Sequence, residues 1–156
     1  KTIETDFGRL GGLICWEHWM PLSRQAMHEA GEDIHIALWP NVHELLQVAS
    51  RAYAFEGRCF VLSVGQLMYA RDLPSELEMP DKWKDQPDAL VLKGGSSIIG
   101  PDGHYILGPV YEETSILVQK IDGLDRVYEE RMALDTSGHY NRRDVFDFAI
   151  NRKRQF

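Results

Sequence analysis

An α/β fold built on a mixed sheet is predicted by three observations. Short apolar runs alternate with helical patterns through the first 64 residues, a Gly-Pro-Asp-Gly turn joins two later apolar runs, and the composition suits a single packed domain. With 156 residues, 44% hydrophobic and 26% charged, the chain can bury a core and lies far from disordered or fibrous sequences.

Thr2 to Glu4 and Leu10 to Trp16 read as extended segments joined at Asp6-Phe7-Gly8. The second has the continuous apolar character of a strand covered on both faces. Pro21 stands where a first-turn proline belongs, Leu22, Ala26, Met27 and Ala30 recur at helical spacing, and Gly31 supplies the stop. Ile34 to Trp39 is a second short apolar strand. From Val42 to Glu56, Leu45, Leu46, Ala49, Ala52, Tyr53 and Phe55 fall on one helical face, Gly57 closes the helix, and Cys59 to Val64 is a third strand. This βαβαβ order implies parallel strands with right-handed crossovers, which put both helices on one face of the sheet.

Antiparallel character is expected later. Tyr69 to Leu90, rich in charge and carrying Pro74, Pro80 and Pro87, reads as a surface excursion. Ser96 to Ile99 and Tyr105 to Leu107 flank Gly100-Pro101-Asp102-Gly103 as a hairpin, and Ser115 to Lys120 follows as a strand. A short helix is predicted over Gly123 to Met132 and a strand over Val145 to Ile150, before the basic cluster Arg152-Lys153-Arg154.

The formal charge of −7 argues against nucleic acid or an anionic membrane surface as partner, because both need a cationic face. No apolar run approaches the roughly 18 residues of a membrane span, so a cytoplasmic location is the expectation. Two cysteines, Cys15 and Cys59, make neither a disulfide framework nor a zinc spacing. The six histidines show no zinc-binding pattern, and no metal or other cofactor is expected. Gly94-Gly95-Ser96-Ser97 lacks both the lysine of a phosphate loop and the spaced glycines of a dinucleotide site, and reads as a turn before a strand. The chain opens on Lys1 and is in an apolar strand within about ten residues, which reads as a cut rather than a start.

Chemistry concentrates at one point. In Gly11-Gly12-Leu13-Ile14-Cys15-Trp16-Glu17-His18-Trp19-Met20-Pro21-Leu22, an apolar strand delivers a thiol to the foot of a proline-opened helix. There the thiol is exposed at the carboxyl end of a parallel sheet, beside backbone N–H groups that favour thiolate. Cysteine is also a common buried hydrophobe, and that is the reading for Cys59, which opens its strand without polar company. His18 is placed as a pocket wall, or as a general base for the thiol, and Glu17 as a turn residue or a polar pocket group.

The segment Gly8 to Leu22 closely resembles the nucleophile motif of the nitrilase branch of the carbon–nitrogen hydrolases, with Cys-Trp-Glu-His similar to arylacetonitrilase and cyanide hydratase relatives. The resemblance continues through Ile36-Ala37-Leu38-Trp39-Pro40, Tyr53 to Leu62, Gly94 to Gly103 and Asp135 to Val145. It implies one portion, spanning residues 1–156, of a four-layer αββα sandwich: the carboxyl-terminal half, with the half that carries a lysine and two glutamates absent. It further implies a nitrile substrate attacked by Cys15, with Trp16 N–H as a donor to the developing anion. Glu17, His18, Trp39 and Pro40 would shape the pocket, and His139 would support the site. Lys1 stands too near Cys15 to be the family's lysine and takes no role. The implied partners are the amino-terminal half of the same protein and further copies, as dimers building to spirals, through Leu22 to Ala30 and Val42 to Glu56; residues 69–90, with Met79 and Trp83 among charges, are either a second contact or a plain exposed loop. An amidase or carbamoylase of the same family, or a non-catalytic assembly module, are the alternatives.

Overall fold

The computed structural model describes residues 1–78, 80–151 and 153. Met79, Arg152 and Arg154, named above, lie outside the described residues. The order of elements is β1 (Ile3–Thr5), β2 (Gly8–Ile14), α1 (Pro21–Glu29), β3 (Ile34–Trp39), α2 (Glu44–Gly57), β4 (Phe60–Gly65), β5 (Leu67–Tyr69), β6 (Leu90–Ile99), β7 (Tyr105–Tyr111) and α3 (Asp125–Ala133).

The βαβαβ order produces the expected geometry. β2 pairs parallel with β3 from Leu10↔Ile34 to Ile14↔Leu38, and β3 pairs parallel with β4 from Ile34↔Phe60 to Trp39↔Gly65. β1 folds back antiparallel on β2. The long β6 runs antiparallel to β4, β5 and β7, so one mixed sheet of seven strands results.

Alternation sorts the side chains between two faces. On one, Ala37, Trp39, Val61 and Ile99 pack against Met27 of α1 and Leu46, Ala49, Tyr53 and Ala54 of α2, so both helices do cover the same face. On the other, Ile34 and Phe60 meet Val127 of α3, with Leu10, Leu62, Ile106, Ile121 and Leu124 around them. That second cover stops partway up the strands. Ile14, Leu38 and Val64, in register across β2, β3 and β4, remain 61%, 44% and 46% exposed. Three apolar neighbours thus lie open to water at the carboxyl ends of parallel strands, whose faces are ordinarily covered.

Several boundaries differ from expectation. The strand predicted over Leu10 to Trp16 ends at Ile14, because Cys15 to Trp19 winds into a 3₁₀ turn. β6 begins at Leu90, extending the predicted Ser96–Ile99 strand into the end of the surface excursion, and β7 runs on to Tyr111. Ser115 to Lys120 and Val145 to Ile150 are not strands. Ile116 and Val118 are 91% and 82% exposed: their alternation suits a ladder, but no sheet edge among the described residues receives them. α2 ends with Arg58 in the left-handed conformation (φ +48°), so the helix stop falls one residue beyond the predicted Gly57.

Candidate active site

β2, largely apolar and buried at Gly11, ends at Ile14, where the chain turns to enter α1. The turn is made at Cys15, whose φ of +52° places a side-chain-bearing residue in the left-handed region. Such a conformation costs about 1–2 kcal/mol and persists only where the surroundings enforce it. The enforcing contacts come from the turn's own polar residues. Glu17 Oε2 accepts the Ile14 N–H at 2.7 Å, and His18 Nδ1 lies 2.9 Å from the Cys15 carbonyl oxygen. The Arg24 guanidinium, one turn into α1, donates to the His18 carbonyl at 3.1 Å. Pro21 opens α1, where a missing N–H costs nothing.

The result is a half-buried cysteine on a sharp strand-to-helix turn, at the carboxyl end of three parallel strands. A sharp, strained strand-to-helix turn of this kind places its side chain above the edge of a sheet. Cys59 differs in every respect: it is fully buried, and burial pushes its thiol well above the usual range.

The structure redistributes the other predicted site residues. Trp16 is 66% exposed beside the thiol, and Glu17 is the turn residue. His18 and Trp39 correct the pocket-wall expectation, for both are turned into the core. His18 is 1% exposed and stacks on Trp39 at 4.4 Å, while the Trp39 indole N–H donates to Ser50 Oγ at 3.1 Å. A general-base role for His18 also gives way, since both ring nitrogens are engaged away from Cys15 Sγ. Pro40 is exposed just beyond the carboxyl end of β3, and His139 is exposed with its ring against Tyr140.

Behind the turn lies a buried polar chain that spacing rules passed over. His18 Nε2 is 3.0 Å from His35 Nε2, and His35 Nδ1 is 2.9 Å from Glu32 Oε2. The Tyr53 hydroxyl donates to the other Glu32 oxygen. Burial lowers the His18 imidazole to about 4, so it is neutral, and burial together with the Glu32 carboxylate raises Tyr53, which stays a donor. Gly11 on β2 makes the room: a Cβ there would strike the Glu32 carboxylate and stand 2.7 Å from Met27 Cε. A second branch runs along the helices. His28 Nε2, 3.6 Å from Glu56, and the Arg24 Nε–H, donating to Glu56 at 2.7 Å, hold that carboxyl below its usual range. The signal for this network was parity, because His35 sits on a strand whose other inward residues, Ala37 and Trp39, are core. Among the described residues, no cluster of three His, Cys, Asp or Glu side chains is arranged as a metal site, and no helix is long and apolar enough to cross a membrane.

Residues 1–129 match the carbon–nitrogen hydrolase family, and the chain belongs to that family. It is 36% identical over 152 residues to an aliphatic nitrilase of Sinorhizobium fredii, covering 97% of this chain and 48% of that relative. It is likewise 36% identical over 150 residues to a bifunctional nitrilase/nitrile hydratase of Lupinus angustifolius, covering 94% of this chain and 43% of the relative. The chain therefore spans about half the length of the curated relatives it matches. Among solved structures, a carbon–nitrogen hydrolase superfamily protein from Xanthomonas campestris superposes with a TM-score of 0.67 at 16% identity, over 97% of this chain and 52% of that one. The likeness makes this α/β unit half of that family's sandwich fold.

Proposed function

We propose that this chain supplies the nucleophile half of a nitrile-converting enzyme, with Cys15 as the attacking residue. The carrying observation is the left-handed Cys15 turn at the carboxyl end of β2, within a chain whose relatives are nitrilases. The thiol loses its proton and sulfur bonds to the nitrile carbon; the third C–N bond opens, and the nitrogen takes a proton to give a thioimidate. Water adds to that carbon. If the amine is protonated and leaves as ammonia, a thioester remains, and a second water releases the acid and restores the thiol. If the thiol leaves instead, the product is the amide. The relative from Lupinus angustifolius, described as a nitrilase and nitrile hydratase, favours keeping both exits in view.

Anion builds on the atom bound to the former nitrile carbon, and the Trp16 N–H at the turn is the donor this chain offers it. A base for the thiol and an ammonium facing the anion are assigned to the amino-terminal portion of the same protein. That portion would seat on the exposed row Ile14, Leu38 and Val64, which ends beside the nucleophile. Copies would associate through α1 and α2, where Leu22, Leu45 and Val48 are 69%, 62% and 50% exposed. A working free thiol suits a reducing, cytoplasmic setting.

The test is turnover of aliphatic and aromatic nitriles, and of the matching amides, by the full-length protein. Faster turnover of nitriles, loss of activity in Cys15→Ala by at least a thousandfold, and a covalent adduct on the Cys15 peptide by mass spectrometry are expected. Amides processed faster than nitriles would make it an amidase, and an active Cys15→Ala enzyme would remove the nucleophile.

A further inference from the structure

Hydrogen-bond bookkeeping in the buried chain leads to a role for residues that never touch substrate. Three links connect the Cys15 carbonyl to Glu32: His18 Nδ1 to that carbonyl, His18 Nε2 to His35 Nε2, and His35 Nδ1 to Glu32 Oε2. Each link needs one proton, and the first must come from His18, because a carbonyl oxygen only accepts. Two neutral imidazoles bring two protons. The third makes the trio of His18, His35 and Glu32 neutral overall, which is the charge state that burial favours. With His18 neutral, that proton lies between His35 and Glu32, and Tyr53 donates to the remaining carboxylate oxygen.

The far end of this chain is the Cys15–Trp16 peptide. A peptide unit is planar and trans, so its C=O and N–H point in opposite directions. Holding the Cys15 carbonyl inward on His18 therefore aims the Trp16 N–H outward. A hydrogen bond accepted by the carbonyl also polarises the N–H of the same unit, and so strengthens it as a donor.

We propose that Tyr53, Glu32, His35 and His18 form a positioning relay that fixes the Cys15–Trp16 peptide, so that the Trp16 N–H faces the anion forming on substrate bound to Cys15. This rests on the reading of Cys15 as nucleophile. The four are positioning residues, and they reach the reaction only through that one backbone unit. The relay also accounts for glycine at position 11, which leaves space for the Glu32 carboxylate against β2.

The test uses the full-length protein and two readouts. Nitrogen-15 histidine spectra at pH 7 should show His18 protonated on Nδ1 and bare on Nε2, the reverse of the tautomer that free histidine prefers. His18→Phe keeps the stack on Trp39 and removes the link, so kcat for nitrile should fall at least tenfold with KM within about twofold. Alkylation of Cys15 by iodoacetamide, which needs no anion donor, should stay within about threefold. Glu32→Gln presents an N–H to His35 and a carbonyl to Tyr53, and should recover most of the turnover that Glu32→Leu loses. His18 protonated on Nε2 alone would overturn the relay, as would wild-type kcat in His18→Phe or equal losses in Glu32→Gln and Glu32→Leu. An inactive Cys15→Ala with an undiminished His18→Phe would mark failure of the relay alone. Turnover by Cys15→Ala would mark failure of the nucleophile reading, whatever the tautomer.

Discussion

Lowering the pH should destabilise this fold through one buried ring. His18 is 1% exposed, and burial holds it at about 4 against an ordinary 6.5. Between these values the unfolded chain binds a proton at position 18 that the folded one refuses, so the unfolded state holds more protons and stability falls as the pH falls. The penalty is absent above about pH 6.5, and it grows toward pH 4 by up to about 1.4 kcal/mol per pH unit. Over the full window it reaches about 3 kcal/mol, a large fraction of the stability of an ordinary domain. Urea unfolding at half-unit steps from pH 7.5 to 4.5 reads it directly, with His18→Phe as the reference, since carboxylates such as Glu56 titrate in both proteins. The difference in unfolding free energy between the two should shift by about 2.5 kcal/mol against the wild type by pH 4.5. Parallel curves across the window would mean that His18 is not held neutral, and would refute the reasoning.

Trp39→Phe removes the N–H that Ser50 accepts and part of the stack on His18, and should cost about 2–3 kcal/mol in urea unfolding, read on the pH 7 midpoint. A loss under about 1 kcal/mol would show the indole to be loosely held. Gly65→Ala sets a Cβ 2.6 Å from the Gly94 carbonyl carbon and 2.8 Å from Val42 Cγ2, where backbone cannot yield cheaply. It should lower stability by about 3 kcal/mol or more, and a neutral result would mean that β4 and β6 separate more easily than their ladder implies.

How much of this the sequence announced depends on whether the signal is local. The parallel βαβαβ unit was readable because three apolar strands and two amphipathic helices are each continuous segments closed by proline, glycine or polar turns. The placement of Cys15 at the strand-to-helix turn was readable for the same reason: strand, cysteine and Pro21 follow closely in sequence. Ser115 to Lys120 misled, since alternating Ile116 and Val118 state what a strand would look like and not whether an edge is free to receive it. The relay was hidden by distance along the chain. Glu32, His35 and Tyr53 carry no motif, and what joins them to His18 is the inward parity of β3 and one turn of α2, both tertiary facts. His18 and Trp39 look like pocket residues because they lie close in sequence to residues expected at the site. Only packing shows that they face the other way.

The bare row of Ile14, Leu38 and Val64 stops one residue short of the thiol. On the proposed function, whatever settles on that row would also roof the sulfur, so the seam between the two portions and the chamber where bonds change would be one surface. The same proposal makes an unpaired copy sticky and idle together, with pairing as the event that would switch on the chemistry it shelters.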